Sequence, residues 1–292
     1  MNIIELALVP TLVLGLTYAV VGTGFVILFK AVGILSFAQG AFMIFGALIF
    51  YSLVTSAGLS WLPAMLVTLV LVGILGALTF KFVYSRLLGT AALIVSFSTV
   101  GLGILLEAII YLVWGTQPRN IPTLVSFGTW HITSKIVIGP NQVLSIVVCL
   151  AVVAGVGALV RYTAVGIRMR ATADRQSLAS YYGIRVDRVA TLAWALASVC
   201  AAAGGIVYGI STTVDPVNIP IVGLATFPAI ILGGIDSLIG ALVGGLLVAF
   251  MGTILATEFG GQYQDFAAYT LLLVVLLVRP RGLFGSPDVN RI

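Results

Sequence analysis

Residues 6–29 read LALVPTLVLGLTYAVVGTGFVILF, without a single charged side chain. As an α-helix this stretch would be about 36 Å long, more than the ~30 Å hydrocarbon core of a bilayer. It shows neither strict alternation nor a polar stripe, so a helix here must meet apolar surroundings on every side. Similar stretches recur at 34–54, 62–80, 91–114, 143–160 and 189–210, then at 219–235, 238–257 and 266–278. The runs at 219–235 and 266–278 are short for a crossing, which predicts a tilted, broken or re-entrant element. Hydrophobic residues make up 61% of the chain and charged residues 8%, with a mean hydropathy of +1.21; a soluble domain carries roughly 25% charged residues. The reading is an all-α, polytopic membrane helical bundle of about 8–9 spans. It forms one domain over residues 1–292, without a sizeable soluble part. Met1 to Glu5 lacks the basic region of a secretory signal, so 6–29 is expected to be a retained first span.

Positively charged short loops stay on the cytoplasmic side. Lys30 follows the first run, Lys81 and Arg86 the third, and Arg279, Arg281 and Arg291 the last, while Arg161, Arg168, Arg170, Arg175, Arg185 and Arg188 crowd the gap at 161–188. These are all of the 14 basic residues except Arg119 and Lys135. The opposite face keeps Asp215, Glu258, Asp265 and the long segment 115–141. This places the N-terminus outside and the C-terminus inside. The net charge of +5 therefore reflects topology and not nucleic-acid binding.

Several chemistries lack their residues. Cys149 and Cys200 lie inside apolar runs without a CxxC spacing, and His131 is the only histidine. Zinc ligation, disulfide scaffolding and Ser-His-Asp catalysis are thereby unsupported. No G-x-x-x-x-G-K-[ST] loop is present, so the chain cannot hydrolyse ATP by that mechanism. It is expected to be no enzyme and to hold no cofactor.

The inner loop at 161–188 carries more than charge. Asp174 is placed to cap a helix start, Gly183 to end it in the left-handed region, and Ile184 to supply the hydrophobic contact of a Schellman motif. The enclosed helix would be about 13 Å long. Ala171, Leu178 and Tyr182 fall on one side at helical spacing, with Arg175 on another. One reading is a basic helix lying on lipid headgroups; the other is a rigid knob that receives motion from a soluble subunit.

The residues of this loop resemble the coupling loop of the branched-chain amino acid, or hydrophobic amino acid uptake, family of ABC-importer permeases. An acidic residue, small residues and Gly-Ile follow one another in both, here Asp174, Ala179 and Gly183-Ile184, with Asp187-Arg188-Val189 leading into the next helix. GILSFAQG at 33–40 is similar to the family's second-span signature, although Ala41 stands where the family often has an acidic residue. STVGLG at 98–103, ILGGIDSLIGA at 231–241 and RPRGLFG at 279–285 are similar to further family segments. The resemblance implies a bacterial or archaeal cytoplasmic-membrane permease. It implies as partners a paralogous permease, two ATP-binding cassette ATPases that bind the ATP, and an extracytoplasmic solute-binding protein. Asp174, Arg175, Leu178, Ala179, Tyr182 and Gly183 would then sit in a groove of an ATPase. Substrates in such a family are branched-chain amino acids, small amides including urea, and aromatic or other carboxylic acids.

Polar residues at membrane depth must face protein or water. Ser36, Gln39, Ser96, Ser98 and Thr99 come from two spans and are candidates to line one cavity, each with an interhelical hydrogen bond as the alternative. Glu107 and Asp236 are ionisable candidates for the same pathway. Used alone, they would fit an ion-coupled carrier or a passive channel instead. The glycines at 233–234, 240 and 244–245, and the Gly205-xxx-Gly209 spacing, predict close helix packing or a broken helix, with Pro228 favouring the break.

Overall fold

The computed structural model describes residues 3–87, 90–122, 124, 130–133, 136–174 and 176–285. Helix α1 spans Ile3–Val32 and α8 spans Val186–Ser211. Both run through the middle of the bundle, with Ala19, Val20, Val21, Phe25 and Ala201 wholly buried. Small side chains make this possible. A Cβ added to Gly24 would come within 2.9 Å of Ala197 O, and one on Gly205 would run into the backbone of Met43. Helix α11, Leu238–Phe259, lies along α1 through Gly15 and Gly245, whose added Cβ atoms would meet Leu246 and the Gly15 carbonyl. The expected glycine faces thus serve packing, and Cys149 and Cys200 are buried core residues.

Around this centre stand α2 (Gln39–Thr55), α3 (Trp61–Phe82), α4 (Ala92–Trp114), α5 (Pro140–Tyr162) and α12 (Tyr263–Val278). Among the described residues, α1, α3, α4, α5, α8 and α11 are long and apolar enough to cross a membrane. Shorter apolar helices occupy Gln39–Thr55, Asn218–Gly233 and Tyr263–Val278. The break expected at 219–235 is present, since α9 (Asn218–Leu224) and α10 (Thr226–Gly233) meet at Ala225. The run at 266–278 belongs instead to one continuous helix. A second break lies where a continuous span was expected: residues 33–38 are not helical, and α2 starts only at Gln39. Gly33, with φ +71°, ends α1 and turns the chain back into the bundle.

Outside the helices, β1 (Trp130–Thr133) and β2 (Ile136–Ile138) form a short antiparallel ribbon in the long polar segment. Arg119 pairs by backbone with Val214, tying that segment to the end of α8. At the other end of the bundle a 3-10 turn, Tyr84–Leu87, stacks Tyr84 on Trp194 with ring centroids 4.5 Å apart. Nearby, the glycine-rich end of α10 is finished by a distant segment. The N–H groups of Leu283 and Phe284 donate to Leu232 O (2.8 Å) and Gly233 O (2.9 Å), carbonyls that α10 itself leaves without partners. Gly282 and Gly234, both at positive φ, bring the two backbones together. The ILGGIDSLIGA and RPRGLFG segments, far apart in sequence, form one clasp.

Candidate translocation and coupling sites

An extended backbone at apolar depth has N–H groups that no helix satisfies, and each needs a partner. Across 33–38 that partner is α4. Leu35 N–H donates to Ser96 Oγ (3.3 Å), and Phe37 N–H to Thr99 Oγ1 (2.7 Å). Thr99 in turn donates to Ser96 O at 2.6 Å. Ser96 and Thr99 thus take the interhelical hydrogen-bonding role and hold the unwound segment. Ser98 turns its hydroxyl onto Val95 O instead.

Ser36 and Gln39 are 0% and 1% exposed, and Ser36 Oγ and Gln39 Oε1 have no hydrogen-bond partner among the described residues. A buried polar atom left so costs about 1–3 kcal/mol. The start of α2 is closed over by α9: a Cβ on Gly40 would run into Pro220 O, and one on Gly223 into the Cα of Gly40. Phe37 stacks on Phe227 at 4.9 Å and closes the same seam. Glu107 is partly exposed on α4, two turns beyond Thr99. Asp236 lies in the turn after Gly234, between α10 and α11.

A cavity of about 630 Å³ opens between α1, α5, α8, α9, α11 and α12. Tyr18, Tyr208, Asp215, Asn218, Gln264 and Asp265 supply its polar lining. Asp215 Oδ1 accepts from Val217 N–H (2.9 Å) and Asn218 N–H (3.2 Å), and Oδ2 from Asn218 Nδ2 (2.6 Å), which fixes the start of α9. Partial burial pushes the Asp215 carboxyl pKa up, but these donors together outweigh it and hold the group below the usual carboxylate range. Sequence reasoning missed this cavity. Its residues come from six helices that only the tertiary fold brings together, and the one signal available was that Asp215 and Asp265 share the acidic face.

On the basic face the loop folds into α6 (Ala164–Asp174) and α7 (Gln176–Tyr181). Gly183 has φ +80°, its N–H donates to Ser180 O (3.0 Å), and Ile184 N–H donates to Ala179 O (3.0 Å). That is the expected Schellman cap. The helix start is different: Asp174 already lies within helical structure, and its side chain lies outside those described. Helix structure already begins at Ala164, where Thr163 Oγ1 accepts from Gly166 N–H at 3.4 Å. Arg175 lies outside the described residues. Ala171 is half-buried, whereas Leu178 and Tyr182 are 44% and 86% exposed, and Ala179 is the residue of α7 turned inward. Gly166, Met169 and Thr172 are the buried side of α6, which packs on α1, α5 and α8.

A bundle of apolar helices with breaks at membrane depth and a seated helical loop on its basic face is a transporter's translocation subunit. The family described as "Branched-chain amino acid transport system / permease component" matches residues 7–278, and the chain belongs to it. It is 31% identical to the "High-affinity branched-chain amino acid transport system permease protein BraD" of Pseudomonas aeruginosa, over 98% of this chain and 97% of that protein. Against LivH of Escherichia coli, with the same description, identity is 28% over 96% and 94%. A probable LivH of Methanocaldococcus jannaschii is 25% identical over 86% and 82%. The solved structure "PsaBC from Streptococcus pneumoniae in complex with Fab" shares the fold, with a TM-score of 0.50 at 17% identity and coverage of 96% and 93%. The chain is a permease component of an ABC importer, a multi-pass inner-membrane protein that works with ATPase and substrate-binding subunits, and is not itself an enzyme.

Proposed function

We propose that this chain pairs with a paralogous permease to form the pore of an importer for branched-chain amino acids or related small organic acids and amides. Two ATPases dock inside and bind the ATP, and a solute-binding protein delivers from outside. The transport named for the Pseudomonas and Escherichia relatives supports the substrate class. The N-terminus is outside and the C-terminus inside, a reading that the distribution of Lys and Arg supports.

One observation carries the coupling reading: α7 ends in a fixed cap while Leu178, Tyr181 and Tyr182 protrude from it, at 44%, 87% and 86% exposure. A capped helix seated through α6 on three spans transmits a push that a loose loop would absorb. Asp174, Arg175 and Gly183 complete the docking segment, and Ala179, turned inward, seats it on the bundle. Closure of the ATPases moves this segment, and the seam between α2 and α9 parts. Ser36 and Gln39, unpaired while the seam is shut, then face the solute, with Ser98, Glu107 and Asp236 along its route. Ser96 and Thr99 are the anchorage on which the unwound segment turns. The cavity at Asp215 and Asp265 is the outer mouth.

The test is ATP-dependent uptake of labelled leucine by the complete complex in vesicles, with and without Tyr181→Ala/Tyr182→Ala. The expected result is uptake only with ATPases and binding protein present, and at least tenfold less in the variant although its ATPases still bind nucleotide. Uptake by this chain alone, or an unimpaired variant, would sink the proposal.

A further inference from the structure

Between α6, the cap of α7 and the start of α8 lies a cleft of about 590 Å³. Arg168 enters it from α6, and Arg185 and Arg188 from the opposite wall. Among the described residues no carboxylate lines it; Asp187, between the two arginines in sequence, is exposed and not part of the lining. None of the three guanidinium groups forms an ion pair among the described residues. Three like charges around one cleft repel each other and call for an anion, and the planar fork of arginine suits phosphate oxygens.

The rest of the lining narrows the choice of anion. Val165, Ile184, Val189 and Leu192 make an apolar wall, and Tyr182 and Gly183 of the docking cap border the cleft where α7 ends. Leu192 is six residues into α8, about 9 Å along the axis from its start, and is 45% exposed. The cleft therefore runs from the arginines at the end of the bundle to side chains at hydrocarbon depth. A free phosphate has no use for such a wall. A protein partner docking from the aqueous side would meet the arginines but not Leu192.

We propose that this cleft binds an anionic membrane lipid, its phosphate held by Arg168, Arg185 and Arg188 and an acyl chain laid along Val189 and Leu192. A lipid there would brace α6 against α8, next to the cap of α7. The proposal does not depend on which solute the importer carries.

The intact complex, reconstituted in equal parts phosphatidylglycerol and phosphatidylcholine, is released into detergent and its retained lipids are counted by native mass spectrometry. The wild type is expected to keep phosphatidylglycerol after phosphatidylcholine is stripped. Arg168→Gln/Arg185→Gln/Arg188→Gln should keep about tenfold less, and the corresponding triple Lys variant an intermediate amount, because charge remains but the fork is lost. If the Gln variant does not assemble, the Lys variant decides alone, and unchanged retention in it overturns the proposal. Equal retention in the Gln variant overturns it as well. Displacement of the lipid by millimolar inorganic phosphate would mark a free-anion site and overturn the lipid assignment. Unchanged lipid with lost ATPase subunits would give the arginines to a protein partner instead.

Discussion

Thr99 illustrates how a polar residue in a span can hold a break in a neighbouring element. Its hydroxyl accepts from Phe37 N–H and donates to Ser96 O. Thr99→Val keeps the shape and removes both bonds, leaving a buried N–H unpaired at a cost of about 1–3 kcal/mol. Thermal unfolding of the purified complex should show a lowered midpoint for Thr99→Val and a nearly unchanged one for Thr99→Ser. Asp215 gives a pH prediction. Its folded carboxyl titrates below the ordinary value, so the stability it lends the start of α9 is present above that ordinary value and is lost as pH falls through the folded one. Asp215→Ala should unfold more readily near neutral pH, and the difference from wild type should shrink in acid. A gap that stays constant down to strongly acidic pH would contradict the capping role.

At the scale of elements, the cap of α7 is a matter of backbone conformation alone. An added Cβ on Gly183 would meet nothing within 4 Å, yet φ is +80°. Gly183→Ala should therefore cost about 1 kcal/mol, entirely from the left-handed conformation, and weaken stimulation of the ATPases without altering their nucleotide affinity. Gly166→Ala acts differently, because its Cβ would collide with Val160 O at the corner between α5 and α6; loss of the ATPase subunits on co-purification is the expected result. The Schellman cap was legible in the sequence because Gly183 and Ile184 are local signals. The start of α6 was not, because nothing between Thr163 and Asp174 marks a boundary more strongly than Asp174 does. The unwinding at 33–38 escaped detection for a similar reason: apolar periodicity does not distinguish a helix from an extended strand that takes its hydrogen bonds from Ser96 and Thr99.

For the whole molecule, apolar length and charge placement were enough to read the membrane bundle. The cavity at Asp215 and Asp265 was not legible, since no short stretch contains it. Direction across the membrane can be checked with cysteines, because native Cys149 and Cys200 are buried. In intact cells an impermeant maleimide should label Ser56→Cys, and Ile167→Cys, exposed on α6, only after permeabilisation; the reverse pattern would invert the topology. Asp265→Asn at the mouth of the cavity should raise the KM for uptake more than it lowers kcat, if the mouth receives solute before the committed step.

The clasp between α10 and the segment around Leu283 also bears on biogenesis. Leu283 and Phe284 leave the ribosome only after α11 and α12 have followed α10. During insertion the carbonyls at the end of α10 therefore wait without partners, held at best by water or the translocon. A nascent chain arrested within α12 would present an unfinished helix end to the membrane proteases, whereas one that has reached Phe284 hides it. Resistance of the 231–241 hinge to proteolysis would then report that synthesis has passed this point.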